Sequence, residues 1–88
     1  MYTLCRDSDK HPERRRLADG IHLELRDLDD EGRVDFDLDD GDERIQKIRG
    51  MRAGQSKLFR GRSGKWYRFR LLDVSVRTEA VRVGVMPG

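Results

Sequence analysis

Cysteine is nearly missing. Cys5 is the single thiol in 88 residues, which excludes an intrachain disulfide and suits a reducing compartment. Long apolar runs are missing as well: none approaches the roughly 18 residues of a membrane-spanning helix, and "MYTLCRDSDKHPERRR" has no apolar stretch of the signal-peptide kind. The expected location is cytoplasmic, with no membrane partner. Aromatic residues make up only 7% of the chain and apolar residues 35%, against 41% charged. That composition lies near the range in which a chain stays unfolded unless its apolar residues are well patterned. The length fits one domain with a modest core.

Catalytic apparatus is also missing. There is no His beside a Ser or Cys, and no glycine-rich loop opens a helix. Cys5, His11 and His22 lack the spacing of zinc ligands. Asp27, Asp29, Glu31, Gly32 and Asp35 partly match a calcium-binding loop, but Leu38 stands where its final bidentate Glu is required. The expectation is a protein that is not an enzyme and needs no metal or cofactor.

What the chain has in abundance is charge, and its distribution is uneven. The net charge of +2 conceals 12 acids against only Arg26 and Arg33 between Asp19 and Glu43, then 10 bases and no acid between Arg44 and Leu72. The sign changes inside "DFDLDDGDERIQKIRGMR". Such a field steers charged partners toward one side of a molecule.

The apolar residues alternate with period two, the spacing of half-buried strands. In "GIHLELRDL", Ile21, Leu23 and Leu25 share a face; in "RVDFDLDD", Val34, Phe36 and Leu38 do so, and the Asp and Gly residues between predict an antiparallel hairpin. Ile45, Ile48 and Met51 recur every third residue, which fits a short helix ended by Gly50 or an irregular strand. A second hairpin follows, with a short strand through Leu58 and Phe59, a turn at "RGRSG" and a long strand from Lys65 to about Arg77. Its apolar parity switches between Leu71 and Leu72, which predicts a β-bulge or a strong bend. A last strand, "AVRVGVMP", turns Val81, Val83 and Val85 inward; Tyr67, Phe69, Leu71, Val74 and Val76 complete the expected core.

The predicted fold is mainly β, with a small α+β arrangement as the variant. It has about five antiparallel strands, in two hairpins plus the C-terminal strand, curled into a small barrel or sandwich with at most one short helix. Residues 1–19 read as a mobile arm or a short helix capped by Ser8 or Asp9, and residues 20–88 as the β domain. With several edges and so small a core, a homodimer through an edge strand or an apolar face is also expected.

The order "RAGQSKLF", a strand ending "LLDV", then "AVRVGVMP" resembles the carbon storage regulator family of small RNA-binding β proteins, over Arg52 to Gly88. In that family the chain starts near this point, whereas here about fifty residues precede it. No residue role is carried over.

Two surfaces compete for a function. Asp35, Asp37 and Asp39 alternate on one strand face about 7 Å apart, which suits contact with a basic protein surface in the manner of a nucleic-acid mimic. The plainer reading is a solvated face that keeps a small sheet from pairing with other chains. Arg60, Arg62, Lys65, Arg68 and Arg70, with Trp66 among them, suit single-stranded nucleic acid, because cations neutralise phosphates and an aromatic ring stacks on a base. The plainer reading there is a set of arginines paired with acids across the sheet. The sequence therefore points to a small regulatory or inhibitor-type protein acting through protein contacts, with a nucleic-acid-binding module as the alternative.

Overall fold

Two-residue periodicity is realised in strands that are interrupted at bulges. The computed structural model describes residues 1–6 and 13–88 and contains eight strands: β1 Tyr2–Cys5, β2 Arg14–Ala18, β3 Ile21–Leu28, β4 Val34–Asp39, β5 Arg44–Met51, β6 Ser56–Arg60, β7 Trp66–Ser75 and β8 Ala80–Pro87. They form two antiparallel four-stranded sheets, sheet A in the order β1-β8-β7-β6 and sheet B in the order β2-β3-β4-β5. The sheets pack as a small sandwich that does not close into a barrel, and the described residues include no helix.

The core lies between the sheets. Leu23, Phe36 and Leu38 from sheet B and Leu4, Phe69, Leu71 and Val83 from sheet A have no exposed surface. Phe36 and Phe69 meet edge-on across the interface with ring centroids 5.8 Å apart, and Phe59 stacks on Tyr67 at 5.5 Å. The predicted bulge is present: Leu71 pairs with Val83 and Asp73 with Arg82, so Leu72 is the extra residue. It restores an inward parity for Val74.

Three local expectations change. Where an arm or short helix was expected, β1 pairs with β8 and β2 with β3; Ser8, Asp9, His11 and Pro12 lie outside the described residues. The described part of the expected helix, Arg14–Ala18, is strand β2, and Leu17 with Leu4 of β1 turns inward, 6% and 0% exposed. Second, of the two readings of Ile45, Ile48 and Met51, the irregular strand is the one realised, and the helix is not. Strand β5 pairs with β4 through two register shifts, one between Leu38 and Asp39 and one between Val34 and Phe36. One inserted residue between Ile48 and Met51 spaces these two inward side chains by three, while Ile45 is the extra residue of the other shift and, 44% exposed, does not share their face. Third, Val76 lies beyond β7 and is 39% exposed.

One end of the sandwich is fastened by two turns. Asp19 and Gly20, both at positive φ (53° and 76°), make the two-residue β2–β3 turn, a geometry that Asp-Gly adopts readily. The Asp19 carboxylate accepts hydrogen bonds from the Ser63 amide and hydroxyl in the β6–β7 turn, and the Arg62 amide donates to the Asp19 carbonyl at 3.0 Å.

Candidate interaction surface

Asp35, Asp37 and Asp39 do share the outer face of β4, opposite the inward Val34, Phe36 and Leu38. Their charges, however, are engaged within sheet B. Asp37 is only 6% exposed and is approached by Arg49 Nη2 at 3.1 Å, Arg44 Nη1 at 3.5 Å and Arg26 Nε at 3.5 Å. Asp39 accepts a fork from Arg14, Nη2 at 2.6 Å and Nε at 3.3 Å, and a bond from the Gly41 amide at 2.9 Å. The Arg14 bonds hold the Asp39 carboxyl below the usual carboxylate range. His22 Nδ1 lies 3.6 Å from the same carboxylate and has no hydrogen-bond partner. Asp35 accepts from the Gly50 amide at 2.8 Å.

The flanking acids are used locally too. Asp29 accepts from the amides of Arg33 and Glu31, and Asp40 from those of Glu43 and Asp42. These backbone donors lower both carboxyl pKa values, with the Arg33 and Glu43 amides the leading causes respectively. The acidic strand is thus the centre of a charge-compensated sheet, flanked by arginines of β2, β3 and β5.

The basic hairpin differs. With Phe59, Phe69 and Leu71 inward, strand alternation directs Leu58 and Arg60 of β6 and Trp66, Arg68 and Arg70 of β7 outward. The registers place Leu58, Arg68 and Met86 in one cross-strand row, Ser56, Arg70 and Gly84 in the next, and Arg60 opposite Trp66. Leu72 packs toward Gly84, where an added Cβ would come within 3.4 Å of Leu72 Cδ1. Arg68 has only a 3.5 Å contact to Ser56 Oγ, and Arg60 donates to the Gly64 carbonyl at 3.3 Å. Among the described residues, no carboxylate lies within ion-pairing distance of Arg60, Arg68 or Arg70. Asp73, an acid of this face, is paired with Arg82 at 3.1 Å.

The same face carries an apolar patch. Trp66 is 56% exposed, Leu58 45%, Met86 42% and Leu72 40%. Of the expected basic residues, Arg60, Trp66, Arg68 and Arg70 come together here. Arg62 does not, because its side chain lies against Gly20 at the turn clasp, and Lys65 stands in the turn preceding β7.

Leu58, Leu72 and Met86 went unread in the sequence because each needs a cross-strand register to be placed. For Leu58 there was a signal, since it alternates with the inward Phe59. Among the described residues, no group of His, Cys, Asp and Glu side chains gathers to hold a metal ion, and no helix is long and apolar enough to cross a membrane. No family model, curated protein or solved structure matches this chain.

Proposed function

We propose that this protein is a non-enzymatic module that acts by contact with another protein, and that its contact surface is the outer face of sheet A. The observation that carries the reading is the contrast between the two outer faces. On sheet B each carboxylate of the β4 row already has a guanidinium or backbone donor, so a basic partner would have to displace internal bonds. On sheet A, Arg60, Arg68 and Arg70 stand without acids beside four exposed large apolar side chains. Trp, Met and Arg are the residue types enriched at protein interfaces, where Lys is depleted, and apolar patches on small monomers mark such sites. The partner is therefore acidic and apolar at its contact surface, rather than basic. Single-stranded nucleic acid is the second reading of the same face, favoured by Trp66 between cations, but it leaves Leu58, Leu72 and Met86 without a use and supplies only one stacking ring. Self-association face to face is disfavoured, because it would bring the arginines of two copies together.

A photo-crosslinking amino acid installed at Leu58, and separately at Asp35, tests the reading in cells of the source organism. A protease-sensitive adduct at position 58 that disappears with Arg68→Glu, and no equivalent at position 35, is expected. A nuclease-sensitive adduct at position 58 would replace the protein partner with nucleic acid. An adduct formed only at position 35 would return the function to the acidic row.

A further inference from the structure

The apolar face does not end at Met86. Strand β1 pairs with β8 only as far as Tyr2 opposite Val83, while β8 continues to Pro87. Beside that unpaired stretch a cleft of about 290 Å³ opens between the sheets, lined by residues including Tyr2, Leu17, Ala18, Tyr67, Val85 and Met86. Met86 belongs to both surfaces, and Arg68 stands directly across from it on β7. The cleft walls are fixed by contacts of their own. The Tyr2 hydroxyl donates to the Leu17 carbonyl at 2.7 Å, and the Tyr67 ring is held against Phe59.

We propose that this cleft seats one bulky apolar side chain, of the Leu, Met or Phe class, from an acidic segment of the partner, with the segment's carboxylates reaching Arg68 and Arg70. The inference rests on the reading of sheet A as a protein-contact face and adds to it the chemistry that the partner must carry. Three observations support it. The cleft is continuous with the face through Met86. Its volume is at the lower end of small-molecule sites, which start near 300 Å³, and so is sized for one side chain. Part of its wall is apolar, formed by Leu17, Val85 and Met86 with the Tyr67 ring, and an aliphatic or phenyl group gains by leaving water against these side chains. Charge decides the flanking residues. Arg68 and Arg70 lie on the rows of Met86 and Gly84, and the Leu72 side chain packs over Gly84, so a segment leaving the cleft reaches Arg68 first and Arg70 across an apolar surface.

The test is a selection of random twelve-residue displayed peptides on the full-length chain at low salt. Winning peptides are then synthesised and titrated against wild type, Ala18→Leu, which fills the cleft, and the double variant Arg68→Glu, Arg70→Glu. The expected winners carry acids around one bulky apolar residue. Replacing that residue by Ala in the peptide, or introducing Ala18→Leu in the protein, weakens binding at least about tenfold, the scale set by burying one large apolar side chain. The peptide-side replacement gives the answer even where Ala18→Leu perturbs folding. Binding that falls with the arginine reversal but shifts less than about twofold with the apolar replacement would overturn the cleft and leave the face. Identical winners on wild type and on the arginine double variant would overturn the face itself. Displacement of the peptides by oligodeoxythymidylate with tighter affinity would assign the face to nucleic acid, and a selection that enriches nothing would overturn both readings.

Discussion

Gly61→Ala is the substitution with the most closely bounded consequence. A Cβ at residue 61 would lie 2.1 Å from Asp19 Oδ2 and 2.6 Å from Asp19 Cβ and Cγ. Asp19 must therefore move. It is held at φ 53° by its own turn and by the bonds to Ser63 and Arg62. Displacing it forfeits two hydrogen bonds to Ser63 and strains the one from Arg62, at about 1 kcal/mol each. The expected loss is about 2–3 kcal/mol, or roughly 10–20 °C in Tm for a domain of this size. Urea unfolding followed by far-ultraviolet circular dichroism measures it, with an unchanged m-value as the sign that only stability moved.

Asp19→Gly supplies the control. It removes the carboxylate but relieves a left-handed conformation that costs a non-glycine residue about 1 kcal/mol, so its net cost should be roughly 1 kcal/mol. In the double variant the clash partner is gone, and the total should stay near that of Asp19→Gly alone. Strictly additive effects, or a Gly61→Ala cost below about 0.5 kcal/mol, would refute the clasp as the fastening between the sheets.

Three further outcomes follow from the same structure. Phe36→Ala should cost about 3–5 kcal/mol, most of the stability of a domain this small, and leave the chain largely unfolded by circular dichroism, while Trp66→Ala should stay within about 0.5 kcal/mol; near-equal effects would contradict the assignment of inner and outer faces. Asp37→Asn should cost about 1–3 kcal/mol in urea unfolding, since it removes the negative charge that Arg26, Arg44 and Arg49 share and sets an amide N–H donor among them; an unchanged midpoint would show that the three contacts are unimportant. Asp29, Asp39 and Asp40 all have carboxyl pKa values lowered from 3.8. A lowered folded pKa contributes stability that is present above the unfolded value and is lost as pH falls through the folded one. Melting temperature should therefore hold steady down to about pH 5 and drop below about pH 4. Arg14→Ala should make that drop shallower by freeing Asp39, and an unaltered profile would remove Arg14 as the cause.

Much of the fold was legible where local pattern and tertiary role coincide. Ile21 to Leu25 and Val34 to Leu38 alternate cleanly because one face of sheet B is buried and the other wet. The parity switch at Leu71 and Leu72 exposed the bulge for the same reason. Strands β1 and β2 were not legible. "YTLC" and "RRRLA" are short; β1 gains its partner from β8 at the far end of the chain, and in β2 three successive arginines mask the single inward Leu17, although it pairs with the adjacent β3. Strand β5 misled by its spacing, since one bulge sets the inward Ile48 and Met51 three apart and the exposed Ile45 completes the recurrence without sharing their face.

The surface followed the same rule. Trp66, Arg68 and Arg70 share a parity that any reader of one strand can see. That the acidic row is compensated depends on β2, β3 and β5 lying beside β4, and pairing of that kind is tertiary information. The change of sign at Glu43 and Arg44 separates no domains. Arg44 and Arg49 pair back onto Asp37 of β4 and Arg52 onto Glu31, whereas Arg60, Arg68 and Arg70 of the next hairpin have no carboxylate in reach among the described residues.

The most direct test of the central claim uses Trp66, the single tryptophan of the chain, because its emission reports on the outer face of sheet A alone. Titration with a partner recovered by crosslinking, or with a selected acidic peptide, should shift that emission to the blue, reverse with added salt, and fail with Arg68→Glu, Arg70→Glu. Undiminished binding by the double variant, with Trp66 emission unmoved, would contradict the account.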